Sequence, residues 1–344
     1  MTPLWQQYQD LKAAADGPYF PREGAAALGV SEGELMAAAP DTVYLGRACG
    51  DIVQQLHTLG QVEAIVRNSV AVHERKGVYD NVRWSEQGGI ALNIGGIDLR
   101  LFTRHWHHAL AVTGQARGEV SRSIQFYDEY GTALQKVFLR DPAALPAWQA
   151  LLDTFGQSGA PGFQAAPPPS VTIPPPLDDT QLAAFHQGWQ ALTDVHQFGG
   201  LLERFGIDRL TAYQQAPAGM ARRLDNGVWE RVLEQVRDCG MELMVFVGNR
   251  GLVQIQTGPV HKVVRARGYL NVLDGASTGF NLHLQDSTIA ESWVVRRPVA
   301  GGFVTCIEGL DEHRRTVVQF FGRRKEGEPE LAAWQAMTDA LLNG

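Results

Sequence analysis

His196 is the side chain whose surroundings in this sequence best suit the binding of a ligand. It lies in the run 185–206, which we predict to be one α-helix that ends at Gly206, a residue that readily takes the left-handed conformation. Gly199 and Gly200 follow His196 at three and four positions, so this face of the helix carries no side-chain bulk. The helix prediction rests on apolar residues at three- and four-residue steps, namely Phe185, Trp189, Leu192, Phe198, Leu201, Leu202 and Phe205.

Two adjacent glycines inside a helix are unfavourable, since each costs about 1 kcal/mol relative to alanine. One reason to keep them beside His196 is clearance for a flat ligand that binds through the imidazole. The alternative is a kink or an early helix end at Gly199, which would make His196 an ordinary histidine at a helix boundary.

A second group of candidate ligands is the run RHWHH, residues 104–108. We predict a strand over this run, which places His105 and His107 on one face, where they could chelate zinc or copper. No carboxylate or cysteine at a suitable spacing completes such a site. The sequence also lacks a phosphate-binding loop, a GxSxG elbow and a dinucleotide fingerprint.

Composition narrows the class of protein. The chain has 344 residues and a formal net charge of -7, which suits two domains and argues against nucleic-acid binding. No apolar run approaches the ~20 residues that span a bilayer, and the N-terminus has no signal-peptide pattern. Cys49, Cys239 and Cys306 have no CxxC spacing, which indicates free thiols. We therefore expect a cytoplasmic protein without membrane insertion.

The order of elements divides the chain at a proline-rich segment. Residues 158–179 contain seven prolines and predict an extended connector between an N-terminal repeat, 1–157, and a C-terminal repeat, 180–344. In each repeat a helical region precedes short alternating segments typical of strands, and a final helix follows.

The two halves also align in sequence, which indicates a tandem duplication. Asn68 matches Asn249 at an offset of 181 residues, Arg100 matches His283 at 183, and Trp148 matches Trp334 at 186. A period this long excludes a solenoid. We predict an α+β fold with two antiparallel sheets, each with helices packed on one face.

The duplicated order and several segments resemble the HemS/HmuS/ChuS family of cytoplasmic haem-trafficking and hemin-degrading proteins. The segments that carry the resemblance are LTDVHQFGGLLERFGIDRL, NVLD, FNLHL and WVVR. The resemblance implies a haem cleft between the repeats and makes His196, in DVHQF, the axial ligand of the haem iron. It also implies bulkier residues than Gly199 and Gly200 after Phe198, so this chain departs from the family pattern there.

Arg100 and His73 become candidates through the same resemblance. Arg100 alternates with Leu99 and Leu101 and points to the opposite sheet face. The family's matching arginine lies on the distal side of haem, where its guanidinium can hold a water or a dioxygen molecule. His73 resembles a family position for a second haem-binding histidine. The alternatives are a solvent-facing strand arginine and a surface or turn-flanking histidine.

Haem also needs cations for its propionates and an apolar slot for its macrocycle. We expect Arg209, which follows the His196 helix, to bind a propionate, and Phe198 and Phe246 to line the macrocycle. The other candidate cations are Arg296, Arg297, Arg323, Arg324 and Lys325, each of which could equally be an ordinary solvated charge.

Three functions are compatible with the sequence. The first is oxidative haem degradation with an external electron donor and dioxygen, which Arg100 favours. The second is a haem carrier that takes haem from an uptake transporter and hands it to a downstream haem oxygenase. The third, outside the family, is a metal-binding protein that uses His105 and His107. The sequence leaves the choice between monomer and dimer open.

Overall fold

A computed structural model describes residues 2–116, 118–167, 170–325 and 327–344 of the chain. Within them the α-helices are α1 Pro3–Ala14, α2 Pro21–Leu28, α3 Glu32–Ala37, α4 Cys49–Gln55, α5 Leu145–Phe155, α6 Asp179–Gln190, α7 Gln197–Phe205, α8 Arg209–Gln214, α9 Val228–Cys239 and α10 Ala332–Asn343. Four short 3₁₀ helices are Leu56–Leu59, Thr103–His105, Pro142–Ala144 and Asp286–Thr288. No helix in these ranges is long and apolar enough to cross a membrane.

The strands fall into two matched series. The first is β1 Thr42–Gly46, β2 Val62–Arg67, β3 Ala71–Gly77, β4 Val82–Ser85, β5 Gly88–Ala91, β6 Asp98–Leu101, β7 His108–Ala116, β8 Glu119–Tyr127 and β9 Ala133–Leu139. The second is β10 Ala221–Leu224, β11 Leu243–Gly248, β12 Leu252–Gly258, β13 Val263–Ala266, β14 Tyr269–Asp274, β15 Phe280–Leu284, β16 Glu291–Val299, β17 Gly302–Leu310 and β18 Thr316–Gly322.

The strand order confirms the predicted duplication. The described strands form two antiparallel nine-stranded sheets, with the orders β1-β7-β8-β9-β2-β3-β15-β14-β13 and β10-β16-β17-β18-β11-β12-β6-β5-β4. At each place in the two orders the strand numbers differ by nine, so that β1 corresponds to β10 and β15 corresponds to β6. The fold class is α+β, as predicted.

Two compact units divide the described chain. Unit 1 comprises residues 2–67, 73–167 and 248–254, and unit 2 comprises 68–72, 170–247 and 255–344. Unit 1 has a core around Trp106, Phe126 and Trp148. Unit 2 has one core around Trp229 and Trp334 and a separate apolar cluster beneath α6, α7 and α8. That separate cluster positions the segment that contains His196.

The predicted continuous helix over 185–206 is wrong. The structure has two helices, α6 and α7, and the chain between them turns at residues 191–196. Two side chains close this turn, because Asp194 Oδ1 accepts from the His196 amide at 2.7 Å and Gln197 Oε1 accepts from the Thr193 amide at 2.9 Å. Short polar side chains that bond nearby amides compete with helix continuation. The predicted end is confirmed, since Gly206 has a φ of 62°.

The duplicated asparagines fix two corresponding turns, one in each unit. In unit 1, Asn249 Nδ2 donates to the Leu134 carbonyl at 2.8 Å, and its Oδ1 accepts from the Gly251 amide at 2.9 Å. In unit 2, Asn68 Nδ2 donates to the Val317 carbonyl at 2.7 Å. One side chain therefore holds a turn against a neighbouring strand in each unit.

Replacing Asn249 by alanine should destabilise the protein by about 2 kcal/mol, because buried backbone groups lose their partners. Chemical denaturation followed by tryptophan fluorescence measures this loss. Asn343→Ala, at the exposed end of α10, is the control and should stay within about 0.5 kcal/mol of wild type. Equal stability of both variants would show that the Asn249 side chain does not hold the turn.

Candidate functional site

The start of α7 presents His196 on the surface of unit 2. His196 is the residue just before the first helical position, and its side chain is exposed. The opposite face of α7 is buried through Phe198, Leu201 and Leu202, which pack in the apolar cluster beneath the helix. Burial of this face fixes the helix, so the imidazole is held on the free face.

Gly199 and Gly200 leave that face bare. A Cβ added to either glycine would meet no atom within 4 Å. By contrast, a Cβ on Gly188 of α6 would lie 2.7 Å from a Leu201 methyl carbon, so the Leu201 side chain would have to shift. Packing therefore gives no reason for Gly199 and Gly200, and the open surface beside His196 has room for a flat molecule.

Phe198 does not reach this surface. Its ring is 1% exposed and lies beneath two guanidinium groups, with Arg297 Cζ 4.6 Å and Arg209 Cζ 5.8 Å from the ring centroid. Cations placed over an aromatic face at these distances are attracted by the ring quadrupole. Phe198 therefore ties the first turn of α7 to two arginines, and the structure places it in the core rather than along an open slot.

A buried carboxylate, Glu308 of β17, holds the same two arginines. Arg297 Nη2 lies 3.3 Å from Glu308 Oε2 and Arg209 Nη1 lies 3.6 Å from the same oxygen. Tyr213 of α8 donates its hydroxyl to this oxygen at 2.8 Å and also lies within hydrogen-bond distance of both guanidiniums. The Glu308 carboxylate in turn raises the pKa of Arg209. The two arginines and Glu308 together keep one net positive charge. Arg209 is half-buried, so this charge is partly exposed at the surface.

Three of the other candidate cations of unit 2 are paired with carboxylates near the surface. Arg296 bonds Asp339, Arg323 bonds Glu242, and Lys325 lies 3.6 Å from Glu328. Arg297 is 6% exposed, so solvent barely reaches it. Arg209 is thus the candidate whose guanidinium is held by a buried carboxylate and is also partly exposed to solvent.

Phe246, on β11, is half-buried, and its ring centroid lies 4.9 Å from that of Phe321. This pair adds apolar surface to unit 2. The place of Phe246 in a macrocycle slot stays a prediction.

In unit 1, Arg100 lies on β6 with a half-exposed side chain between the buried Leu99 and Leu101, as the alternation predicted. Its guanidinium bonds the carboxylate of Asp98 and donates to the Leu99 carbonyl at 3.1 Å. Burial raises the pKa of Asp98, and Arg100 opposes this shift. Arg100 is therefore a positioned arginine with partners on its own strand.

His73 is fully buried in unit 1, not at a surface or a turn. Its Nδ1 lies 2.7 Å from the amide nitrogen of Gln254, the residue that matches it at the offset of 181. Burial, followed by the nearby Arg75, lowers the pKa of His73 to about 3. An iron ligand needs an accessible imidazole, so we leave His73 out of the site proposed below.

The buried His73 should make the protein less stable in acid. Its pKa is about 3 in the folded state and about 6.5 in the unfolded chain, so the unfolded state takes up the proton first as the pH falls. The stability that His73 confers is complete above pH 6.5 and is lost between pH 6.5 and 3, with about 2 kcal/mol lost at pH 5.

His73→Gln removes this contribution, and His261→Gln, at an exposed histidine, is the control. Urea denaturation of all three proteins at pH 7.5 and pH 5 measures the difference. Between pH 7.5 and pH 5, wild type and His261→Gln should lose more stability than His73→Gln. Equal losses in all three proteins would contradict the lowered pKa of His73.

The predicted strand over RHWHH is wrong. His105 ends the 3₁₀ helix Thr103–His105, and His107 lies just before β7. The chain turns because the Thr103 hydroxyl bonds the Ser85 carbonyl at 2.8 Å and the Trp106 indole bonds the Gly251 carbonyl at 2.8 Å. The described residues contain no group of three or more histidine, cysteine, aspartate or glutamate side chains placed to hold a metal ion.

Both histidines of this run instead bond arginines. His105 Nδ1 lies 3.1 Å from Arg250, and His107 Nδ1 lies 3.1 Å from Arg47. Burial and then Arg250 lower the pKa of His105. The carboxylates of Asp128 and Glu129 belong to the same network of arginine and imidazole groups, and we do not propose a metal site there.

Glu308 and Tyr213 were missed by the sequence reasoning. Glu308 lies in the strand GFVTCIEGL, where a single carboxylate interrupts apolar residues. A charge in such a strand needs a buried partner, and this signal could have identified Glu308. Nothing in the sequence distinguished Tyr213 from other helical tyrosines.

Comparison with known proteins identifies the family. Residues 29–155 and 206–341 match the model of the haemin-degrading HemS.ChuX domain, once for each repeat, and His196 lies between the two matches. The hemin transport protein HemS of Yersinia enterocolitica is 38% identical over 99% of this chain and 97% of its own length. Hemin transport protein HmuS of Yersinia pestis is 37% identical over 99% of this chain and 97% of its own length.

Solved structures agree over the same span. The heme-degrading enzyme ChuS of Escherichia coli O157:H7 is 33% identical, with a TM-score of 0.89 over 98% of each chain. Holo-PhuS, a heme-binding protein of Pseudomonas aeruginosa, is 38% identical, with a TM-score of 0.89 over 97% of each chain. The fold and these matches define a duplicated α+β protein in which each repeat matches a HemS.ChuX domain. The chain belongs to the HemS family.

Proposed function

We propose that this chain is a cytoplasmic haem-binding protein of haem uptake and utilisation, which holds haem through the imidazole of His196 and degrades it oxidatively. One observation carries the proposal. His196 is exposed at the start of a helix whose neighbouring positions on the same face, Gly199 and Gly200, leave open space. An imidazole with a clear surface beside it suits axial ligation of a flat macrocycle.

The other residues take supporting roles. Arg209, half-buried and anchored by Glu308, would pair with a propionate, since a guanidinium matches a carboxylate geometrically. Arg100 would serve as a hydrogen-bond donor in haem binding, and Phe246 would contact the macrocycle. Bound haem supplies the iron chemistry of ring opening, with an external electron donor and dioxygen as co-reactants.

A haem carrier is the second candidate, and the bonding of Arg100 favours it. Its guanidinium already pairs with Asp98, so it is less available as a donor to dioxygen. In this role the chain would take haem from an uptake transporter and hand it to a downstream haem oxygenase.

A haem titration followed by reduction in air separates the two candidates. The wild-type chain is loaded with haem, its Soret band is recorded, and ascorbate is added with catalase present. For a degrading enzyme the band decays and a tetrapyrrole product is released although catalase removes free peroxide. For a carrier the haem survives, or is lost only when catalase is omitted. If the wild-type chain does not bind haem at all, both candidates fail.

A further inference from the structure

Glu308, which anchors Arg209, lies at the centre of a larger buried polar cluster in unit 2. Its carboxylate is fully buried and pairs with donors on three elements of unit 2, namely α8, β16 and β18. Besides the contacts described above, Gln319 Nε2 donates to Oε2 at 2.7 Å, and the Thr316 hydroxyl donates to Oε1 at 2.6 Å. Gln319 is the register partner of Glu308 on β18, so the sheet itself brings them together.

The carboxylate is charged in this cluster. Burial alone would raise its pKa, but Arg209, Arg297 and the hydroxyl donors outweigh burial, and the pKa of Glu308 lies below its usual value. The charge is needed, because Arg297 is 6% exposed and its Nε is buried without a hydrogen-bond partner among the described residues. Removing one partner of a buried ion pair leaves the other charge uncompensated, which is costly.

The cluster also reaches the turn that carries His196. Arg297 and Arg209 both lie over the ring of Phe198, two residues after His196. Arg209 is the first residue of α8, and Asp208 caps that helix by accepting from the Thr211 amide at 2.8 Å. The start of α7 and the start of α8 are thus tied to one carboxylate.

We infer that Glu308 is a positioning residue, which orients Arg209 toward a bound anion and, through Arg297 and Phe198, fixes the turn that presents His196. This inference rests on the proposed function, since haem is the ligand whose binding reports the orientation. With glutamine at position 308 the two guanidiniums lose their counter-charge, separate from each other and move toward solvent. The ring of Phe198 then loses its contact with the guanidiniums, and the His196 turn is no longer held in one orientation.

Glu308→Gln tests the inference because it keeps the size of the side chain and removes the charge. Glu63→Gln is the matched control, since Glu63 is a buried carboxylate of unit 1 that is paired with Arg140. Each protein is first assayed for its Tm and then studied well below that temperature. Haem is added, the Soret spectrum is recorded, and the dissociation rate is measured by transfer to excess apomyoglobin.

The expected result is haem dissociation from Glu308→Gln about tenfold faster than from wild type, with a shifted Soret band that indicates altered ligation. Glu63→Gln should lose stability yet keep the wild-type spectrum and rate. If Glu308→Gln does not fold, Tyr213→Phe takes its place, because it removes the hydroxyl that bridges both guanidiniums to the carboxylate and should also speed dissociation.

The outcomes separate the two proposals. A folded Glu308→Gln, or a folded Tyr213→Phe in its place, with the wild-type spectrum and dissociation rate overturns the role of Glu308 and leaves the proposed function standing. A dissociation rate raised equally by Glu63→Gln also overturns it, since general loss of stability would then be the cause. A wild-type chain that takes up no haem overturns both proposals.

Discussion

Replacing His196 by alanine should weaken haem binding at least about 100-fold and abolish the wild-type Soret spectrum. An axial ligand contributes more than its outer hydrogen-bond partners, whose loss alone costs metal sites about 10- to 100-fold in affinity. The fold should survive, because the His196 side chain is exposed and the turn is closed by Asp194 and Gln197. Titration with haem, followed by absorbance, measures the effect.

His261→Ala is the control for this prediction, since it removes another exposed imidazole of unit 2. It should bind haem as wild type does. Free imidazole added to His196→Ala should restore part of the Soret spectrum if the missing ligand is the only defect. Unchanged haem affinity in His196→Ala would rule this residue out as the ligand and remove the basis of the proposed function.

A leucine at Gly199 should weaken haem binding and leave the protein folded. Position 199 is three residues after His196, on the same face of α7, and a Cβ there meets no other atom. The apo protein should therefore be as stable as wild type or more stable, because leucine favours a helix over glycine by up to about 1 kcal/mol. The added side chain occupies the surface on which the macrocycle would lie, and overpacking of about 1–3 kcal/mol weakens binding about 5- to 160-fold.

Gly162→Leu is the control, since that glycine also has open space around it but lies in the segment before α6. Both variants are titrated with haem, and both are melted in the apo form. A Gly199→Leu protein that binds haem normally would show that the open face of α7 is not the haem surface. A large drop in its Tm would show instead that the glycine serves the fold.

The duplicated fold could be predicted because duplication leaves two independent copies of each signal. Asn68 and Asn249 both mark the turn before a strand, and Trp148 and Trp334 both lie in a final helix. The position of α7 also followed from its apolar spacing, and Gly206 ends it as predicted. These features depend on local periodicity and on backbone conformations that few residues adopt.

The break between α6 and α7 could not be predicted from periodicity, because Leu192 and Phe198 keep the helical spacing across it. The turn is decided by side-chain bonds from Asp194 and Gln197 to nearby amides, and these compete with the helix by small free energies. The Glu308 cluster was equally hidden, since its members are up to about 100 residues apart and meet only when the sheet forms. Long-range polar contacts leave no periodic signal in a sequence.

Unit 1 is built from segments that lie far apart in the sequence, and this affects its folding during synthesis. This unit includes residues 248–254, so its last segment is synthesised long after residue 167. At roughly 5–20 residues per second, a ribosome needs roughly 4–16 s to make the residues between 167 and 248. During that interval the N-terminal half lacks Leu252, which its core buries completely, and Asn249, which holds its turn. Folding of the first repeat therefore requires residues of the second repeat, and the N-terminal half depends on continued translation to reach its native state.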